Sequence, residues 1–378
     1  MEEVPFEDRR VPLTEIDWGR SAWWLPPLTR AVQSAFTMTN VVFAMVGVWL
    51  IESGFVIAQN LFHPAILIPT QPEGQEFRRE SLAIVLSTLP NRFQQLSPET
   101  WGLNELAYVS FCLVWIVAGL GFFGGILARR SLVFLGQQTV APWGESISLV
   151  ARRLWSILWL PGFYLIALFA VLLPVFVLGF IARLGSFGLS VAGVLLLILF
   201  VPLLFSVARI LINSILCFPL AVCCIGAETK ADTFEGVSRS EAYFFPRFNF
   251  TLVIVLALSI SGWVGAQVFT LGIELAEQLI LAIFRWSAAT SQNSFFQTYA
   301  NIISRRCMDG YWFSFFWAGA AAVYLILRKS VDHTELDELD GPDAATKSAL
   351  PPIPSQEVMK GDTSQEVSAK DEASEEQT

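Results

Sequence analysis

Six stretches of the chain lose nearly all their polar positions: residues 40–58, 106–127, 154–181, 189–225, 251–271 and 311–327. A bilayer core about 30 Å thick takes roughly 20 apolar residues at about 1.5 Å each, and lipid offers backbone N–H and C=O groups no partner. Runs of this kind predict helices. The expected fold is all-α: a polytopic transmembrane bundle of six spanning helices, with short interfacial helices and a disordered C-terminal tail. The fourth run would extend over roughly 55 Å, too far for one crossing. No Asn-Gly or paired proline supplies a hairpin turn inside it, so it reads as one long helix kinked at Pro219 and projecting beyond the bilayer. A re-entrant half-helix is the alternative.

The polar stretches complete the organisation. Residues 1–39 read as a cytoplasmic and interfacial segment, 40–330 as the six-helix domain, and 331–378 as an acidic tail. The tail is rich in Asp, Glu, Ser, Thr, Lys and Pro and buries too little apolar surface to offset its chain entropy. A Ser-Gln-Glu-Val string occurs twice in it, at 355–358 and 364–367, as low-complexity tails repeat by chance or as a docking motif would. The larger external loops are 59–105 and 276–310. Within and beside them, 79–89 and 275–286 mix apolar and polar positions and are expected to lie along the outer surface. Trp18, Trp23, Trp24, Trp286 and Trp312 suit the aromatic belts of the two interfaces.

Charge changes the picture in two ways. Only 15% of the 378 residues are charged, against about 25% in soluble domains. The formal charge of -9 belongs to the tail, which holds 13 of the 33 acidic residues and 3 of the 24 basic ones, leaving 20 acidic against 21 basic before it. No basic surface points to nucleic acid. With the N-terminus inside, 17 Lys and Arg fall on the inner side and 7 on the outer. Both termini are therefore expected to be cytoplasmic in a multi-pass protein of the cell membrane. The N-terminus, Met-Glu-Glu-Val-Pro-Phe-Glu-Asp, has no basic start or apolar run of a secretory signal, so the first span itself is expected to target the chain.

Candidate chemistry is sparse. Gly119-Leu-Gly121-Phe-Phe-Gly124 matches the dinucleotide fingerprint formally, but that motif needs a preceding strand and lies here inside a span. Gly119, Gly121, Gly124 and Gly125 read instead as a face that lets a neighbouring helix approach closely. Glu52 and Arg209 are the charges expected within lipid. Glu52 fits a polar path, or a carboxyl reaching water or Ser53. Arg209 is expected to snorkel to the inner headgroups, at a depth that makes a direct Glu52–Arg209 pair unexpected. His63 and His333 have no partner at metal-ligand spacing, no hydrolase or zinc motif occurs, and no cofactor or metal is implied. Asn249-Phe-Thr251 is a glycosylation sequon at the expected cytoplasmic edge, where it would be idle. Cys112, Cys217, Cys223, Cys224 and Cys307 read as small apolar residues, with acylation of the Cys223–Cys224 pair as the alternative.

The segment after the fourth span is the most informative. Asp232 is placed to cap a helix with Glu235 three residues on, Glu235 and Arg239 stand one turn apart, and Pro246 ends the run. Phe234, Val237 and Phe245 are expected to share an apolar side, giving an amphipathic helix on the inner membrane face. Glu228 after the long helix, then Asp232-Thr-Phe-Glu-Gly-Val-Ser-Arg-Ser240 and the following aromatic cluster, resemble a segment of uncharacterised bacterial polytopic membrane proteins, many of them planctomycete. The segment is also distantly similar to the membrane domain that accompanies some glycerophosphodiester phosphodiesterases. The resemblance implies a helical bundle without an assigned catalytic residue. The soluble phosphodiesterase domain has no counterpart in the chain.

These features favour a non-enzymatic membrane protein that organises lipid or membrane-protein partners, including a second copy of itself. A transporter or channel-like component is the alternative, and a lipid-modifying enzyme a second. The residues of interest are Glu52, Arg209, Glu228, Asp232, Phe234, Glu235 and Arg239.

Overall fold

The computed structural model describes residues 23–62, 103–228, 231–288, 294–334, 336 and 339. Among these there is no strand, and the architecture is the expected all-α polytopic bundle. In chain order its helices are α1 (Leu25–Ala35), α2 (Met38–Phe62), α3 (Leu103–Gly119), a π-helical turn (Leu120–Gly124), α4 (Gly125–Gln137), α5 (Trp143–Ala182), α6 (Ser186–Ala227), α7 (Thr233–Phe244), α8 (Phe248–Ala288) and α9 (Ser294–Asp332). Six are long and apolar enough to cross a membrane: α2, the continuous α3–α4 rod from Ala107, α5, α6, α8 and α9. Each contains one of the six apolar runs. The chain is a multi-pass membrane protein, and the fourth run is a single helix that continues through Pro202 and Pro219.

The axis of the bundle is α9, which touches α1, α2, α4, α6, α7 and α8. Its most apolar stretch is 78% buried. Small residues there (Ala318, Gly319, Ala321, Ala322) let neighbours approach, while Tyr311, Trp317 and Tyr324 fill the space between them. Antiparallel to it runs α8, fastened by Tyr311 Oη donating to the Gly262 carbonyl at 3.2 Å and by Ser304 donating to Glu277.

Three sequence expectations shift here. Residues 275–286 continue α8, and 294–310 already belong to α9, so most of the expected 276–310 loop is helix. Helix α1 does not lie free at an interface: it packs on α9, α4 and α8, with Ala31 and Ala35 fully buried and Ser34 Oγ 3.1 Å from Ser131 Oγ. The helical chain also passes Ser330, and Asp332 accepts a hydrogen bond from Tyr243. A chain ending at Thr334 is thus expected to match the full protein in thermal stability in detergent. One ending at Ser330 should lose about 1 kcal/mol, read as a lower melting temperature. The expected segments 59–105 and 79–89 fall almost wholly outside the described residues, as does the acidic tail beyond residue 339.

The four glycines occupy close approaches to three different neighbours. A β-carbon on Gly119 would fall 2.4 Å from Ile51 of α2, on Gly121 2.5 Å from Ile157 of α5, and on Gly124 2.0 Å from the Trp317 ring of α9. Gly125 is looser, at 3.2 Å from Val150. A π-helical turn over Leu120–Gly124 lies among these positions, and Gly119 and Gly121, two residues apart, face opposite neighbours as helical spacing requires.

Unlike α9, the apolar helices α5 and α6 are 6% buried in their most apolar stretches. Between Tyr164 and Asn213 only Leu178, Gly188 and Ala192 are buried, and Gly188 packs on the α5 terminus itself, near the Ile181 carbonyl. Most of the rest, including Phe169, Phe176, Leu197 and Phe205, is exposed, so the two helices form a projection. Its base alone joins the body.

Candidate functional site

The base of that projection is a polar cluster at the C-terminus of α6. A helix end leaves its last carbonyls without intrahelical partners and carries partial negative charge. Here arginines from two other helices meet them: Arg153 of α5 donates to the Ile225 carbonyl at 2.6 Å and to that of Glu228, and Arg129 of α4 donates to the Gly226 carbonyl at 3.1 Å. The Arg129 guanidinium also stands 3.6 Å from Glu145. Next to it, Arg130 donates to Asn40 Oδ1 at 3.1 Å and lies over the Trp143 ring. Arg129 and Arg130 are buried, so they act as internal pins.

The side chain of Glu228 closes the cluster. It is buried and binds Arg239 of α7, which also pairs with Glu235, and it accepts a hydrogen bond from Tyr324 Oη of α9 at 3.1 Å. Burial works against the Arg239 cation, yet Glu228 and Glu235 outweigh it and hold its pKa above the ordinary arginine value. Asp232 caps α7 as expected, accepting from the Glu235 N–H at 2.9 Å. Farther along, Tyr243 donates to Asp332, and burial together with that carboxylate raises the Tyr243 pKa. The phenol therefore stays a neutral donor: its contribution is complete at neutral pH and is lost above about pH 10, where tyrosine in the unfolded chain ionises. Glu228, Asp232, Glu235 and Arg239 thus form one clamp that ties α6, α7 and α9 together.

No known protein family, curated protein or solved structure matches the chain.

Other expected residues lie elsewhere. Glu52 is neither free nor bound to Ser53, whose hydroxyl donates to the Trp49 carbonyl. It forms a 2.6 Å ion pair with Arg306 of α9, which also approaches Asp309 at 3.7 Å. As expected, Arg209 does not reach Glu52: it is exposed on α6 and lies over the Phe245 ring at 5.3 Å. On α7 the expected apolar side divides. Val237 packs inside with Gly236, Ser240 and Tyr243, while Phe234 is 66% exposed and meets the Phe163 ring. Gly236 faces Ile225 and the Ala221 carbonyl, so α7 is wedged against α6 along its inner face. Among the described residues no three His, Cys, Asp or Glu side chains gather to hold a metal ion.

Cys223 and Cys224 are fully buried beside the clamp, which removes the access that acylation needs. Maleimide is expected to leave both unmodified in the native, detergent-solubilised protein and to label them after denaturation, as peptide mass mapping will report.

The sequence reading missed Arg129, Arg153, Arg306, Tyr243, Tyr324 and Asp332. One signal for Arg129 was present: the apolar string Ser131-Leu-Val-Phe-Leu135 follows it directly, so the helix continues past the charge and places it within a packed segment.

Proposed function

We propose that this chain is a non-enzymatic membrane organiser that presents the α5–α6 projection to lipid or to a membrane-embedded partner, with the clamp fixing the projection's base. The contrast between an axial helix buried on most sides and two more apolar helices left uncovered supports this reading best. In a bilayer the uncovered surface costs nothing, because lipid tails cover it as well as protein would. The proposal places the protein in the cell membrane with both termini cytoplasmic, following the Lys and Arg asymmetry. It also keeps the likeness of 228–240 to the uncharacterised bacterial membrane proteins and, distantly, to the phosphodiesterase-associated membrane domain.

A benzophenone amino acid at Phe169 or Leu197, photoactivated in intact cells, tests the reading. It predicts adducts with lipid or with one membrane protein. Adducts only with other segments of the same chain would contradict it. Single cysteines at Ser294 and Ser374 report orientation, with reaction at 294 and none at 374 expected from an impermeant reagent. The transport alternative draws on one observation, the Glu52–Arg306–Asp309 charges within membrane-length helices. Their mutual pairing favours a structural lock over an open polar path.

A further inference from the structure

Two buried polar atoms at the junction of α5, α6 and α7 lack partners among the described residues: Tyr164 Oη and Asn213 Oδ1. Tyr164 is 5% exposed and Asn213 4%. Such atoms cost about 1 to 3 kcal/mol each when unsatisfied. Around them stand Cys217 and Ser240, whose hydroxyl is spent on the Val237 carbonyl at 2.8 Å, and the half-buried Glu241, which accepts from Asn213 Nδ2 at 2.9 Å. Asn213 Oδ1 is an acceptor without a donor, and its own amide is bonded to the Glu241 carboxylate, an arrangement that suits a cationic donor.

One turn away on the same face of α6, the exposed Arg209 guanidinium has a ring contact with Phe245 and no hydrogen bond or ion pair among the described residues. Four helical residues rise about 6 Å, so the buried Asn213–Glu241 pair and the exposed Arg209 guanidinium stand one turn apart. Exposed apolar side chains flank them along α6, with Phe205, Ile212 and Leu216, and the Phe245 ring stands against the guanidinium.

We propose that this junction binds the headgroup of a phospholipid bearing a primary ammonium, of the phosphatidylethanolamine type. Arg209 takes the phosphate. The ammonium reaches Glu241, Asn213 Oδ1 and Tyr164 Oη once the Glu241 side chain swings aside, and the two-carbon ethanolamine bridge spans the turn between them. Acyl chains lie along the exposed apolar residues of α6. A quaternary choline has no N–H to donate, and a glycerol headgroup has no cation. The assignment rests on the reading of the projection as lipid-facing.

The full chain is exchanged into micelles holding equal amounts of dioleoyl phosphatidylethanolamine, phosphatidylcholine and phosphatidylglycerol, repurified, and its retained lipid quantified by mass spectrometry. About fivefold enrichment of the ethanolamine lipid over the choline lipid is expected. Glu241→Gln keeps an oxygen for Asn213 Nδ2 and should fold, yet should reduce that ratio to near one. Arg209→Gln should lower retention of all three lipids. Soluble phosphoethanolamine, which has no chains, should not displace the lipid, and displacement would overturn the lipid assignment. Equal retention by the unaltered chain, or a preference that survives Glu241→Gln, would overturn the site. A nitroxide at Leu197 separates the two failures: lipid contact there with equal retention ends the headgroup site alone, and water contact ends the lipid-facing reading as well.

Discussion

Glu228→Ala will loosen the protein at the base of α6, lowering its unfolding free energy in mild detergent by about 2 kcal/mol. The substitution removes the shared acceptor of Arg239 and Tyr324 and leaves both donors facing a buried space. The loss stays below that of a fully buried pair because Arg239 keeps Glu235 and is itself partly exposed. Glu228→Gln should recover part of the loss, since its amide oxygen still accepts from Tyr324. A double-mutant cycle with Arg239→Leu should show a coupling of about 1 kcal/mol or more. Additive effects would mean that the contact does not hold α7 to α6. The backbone contacts of Arg153 and Arg129 to the α6 carbonyls are unaffected by these changes, so residual helix content should persist.

Gly124→Val is expected to be the most damaging single change in the bundle. Its first side-chain carbon would sit 2.0 Å from the Trp317 ring, which is fully buried on the axial helix and cannot swing away. Overpacking of this kind costs typically about 1 to 3 kcal/mol, and here the branched side chain adds two further methyl groups to the clash. Gly125→Ala is the matched control, because its β-carbon meets Val150 at 3.2 Å, a contact that small side-chain shifts relieve. The first variant should drop out of the membrane fraction or melt far below the parent, and the second should remain close to it. Equal behaviour of the two would contradict the close approach of the π turn to α9.

The six spans were legible because lipid imposes one requirement on all of them, an internally bonded backbone beneath an apolar surface. Helix length was not legible. Hydropathy ends the last span near residue 311, yet α9 begins at Ser294, because Arg306 meets Glu52 and Ser304 meets Glu277. A charge continues a helix through the membrane when a partner on another helix neutralises it, and a single sequence does not name that partner. Within the candidate site the local signals were sound: Asp232 caps α7, and Glu235 pairs with Arg239 one turn on. The tertiary parts were hidden. Arg129 and Arg153 count in the sequence only toward the inner-side positive charge, yet they cap the last carbonyls of a distant helix. Val237 and Phe234 look like one apolar side, yet packing on Ile225 and Ala221 draws α7 inward and parts them.

The central claim is that α5 and α6 leave the body at the clamp and meet lipid. Nitroxides placed singly along 165–182 and 186–208 in reconstituted vesicles measure it directly through collision with oxygen, which concentrates in lipid, and with a water-soluble nickel chelate. The account predicts high oxygen and low chelate access at Phe169, Phe176, Leu197 and Phe205, with restricted motion only where the two helices face each other, at Leu178, Gly188 and Ala192. Chelate access along the whole projection, or immobilisation on every face by contact with the rest of the chain, would contradict it.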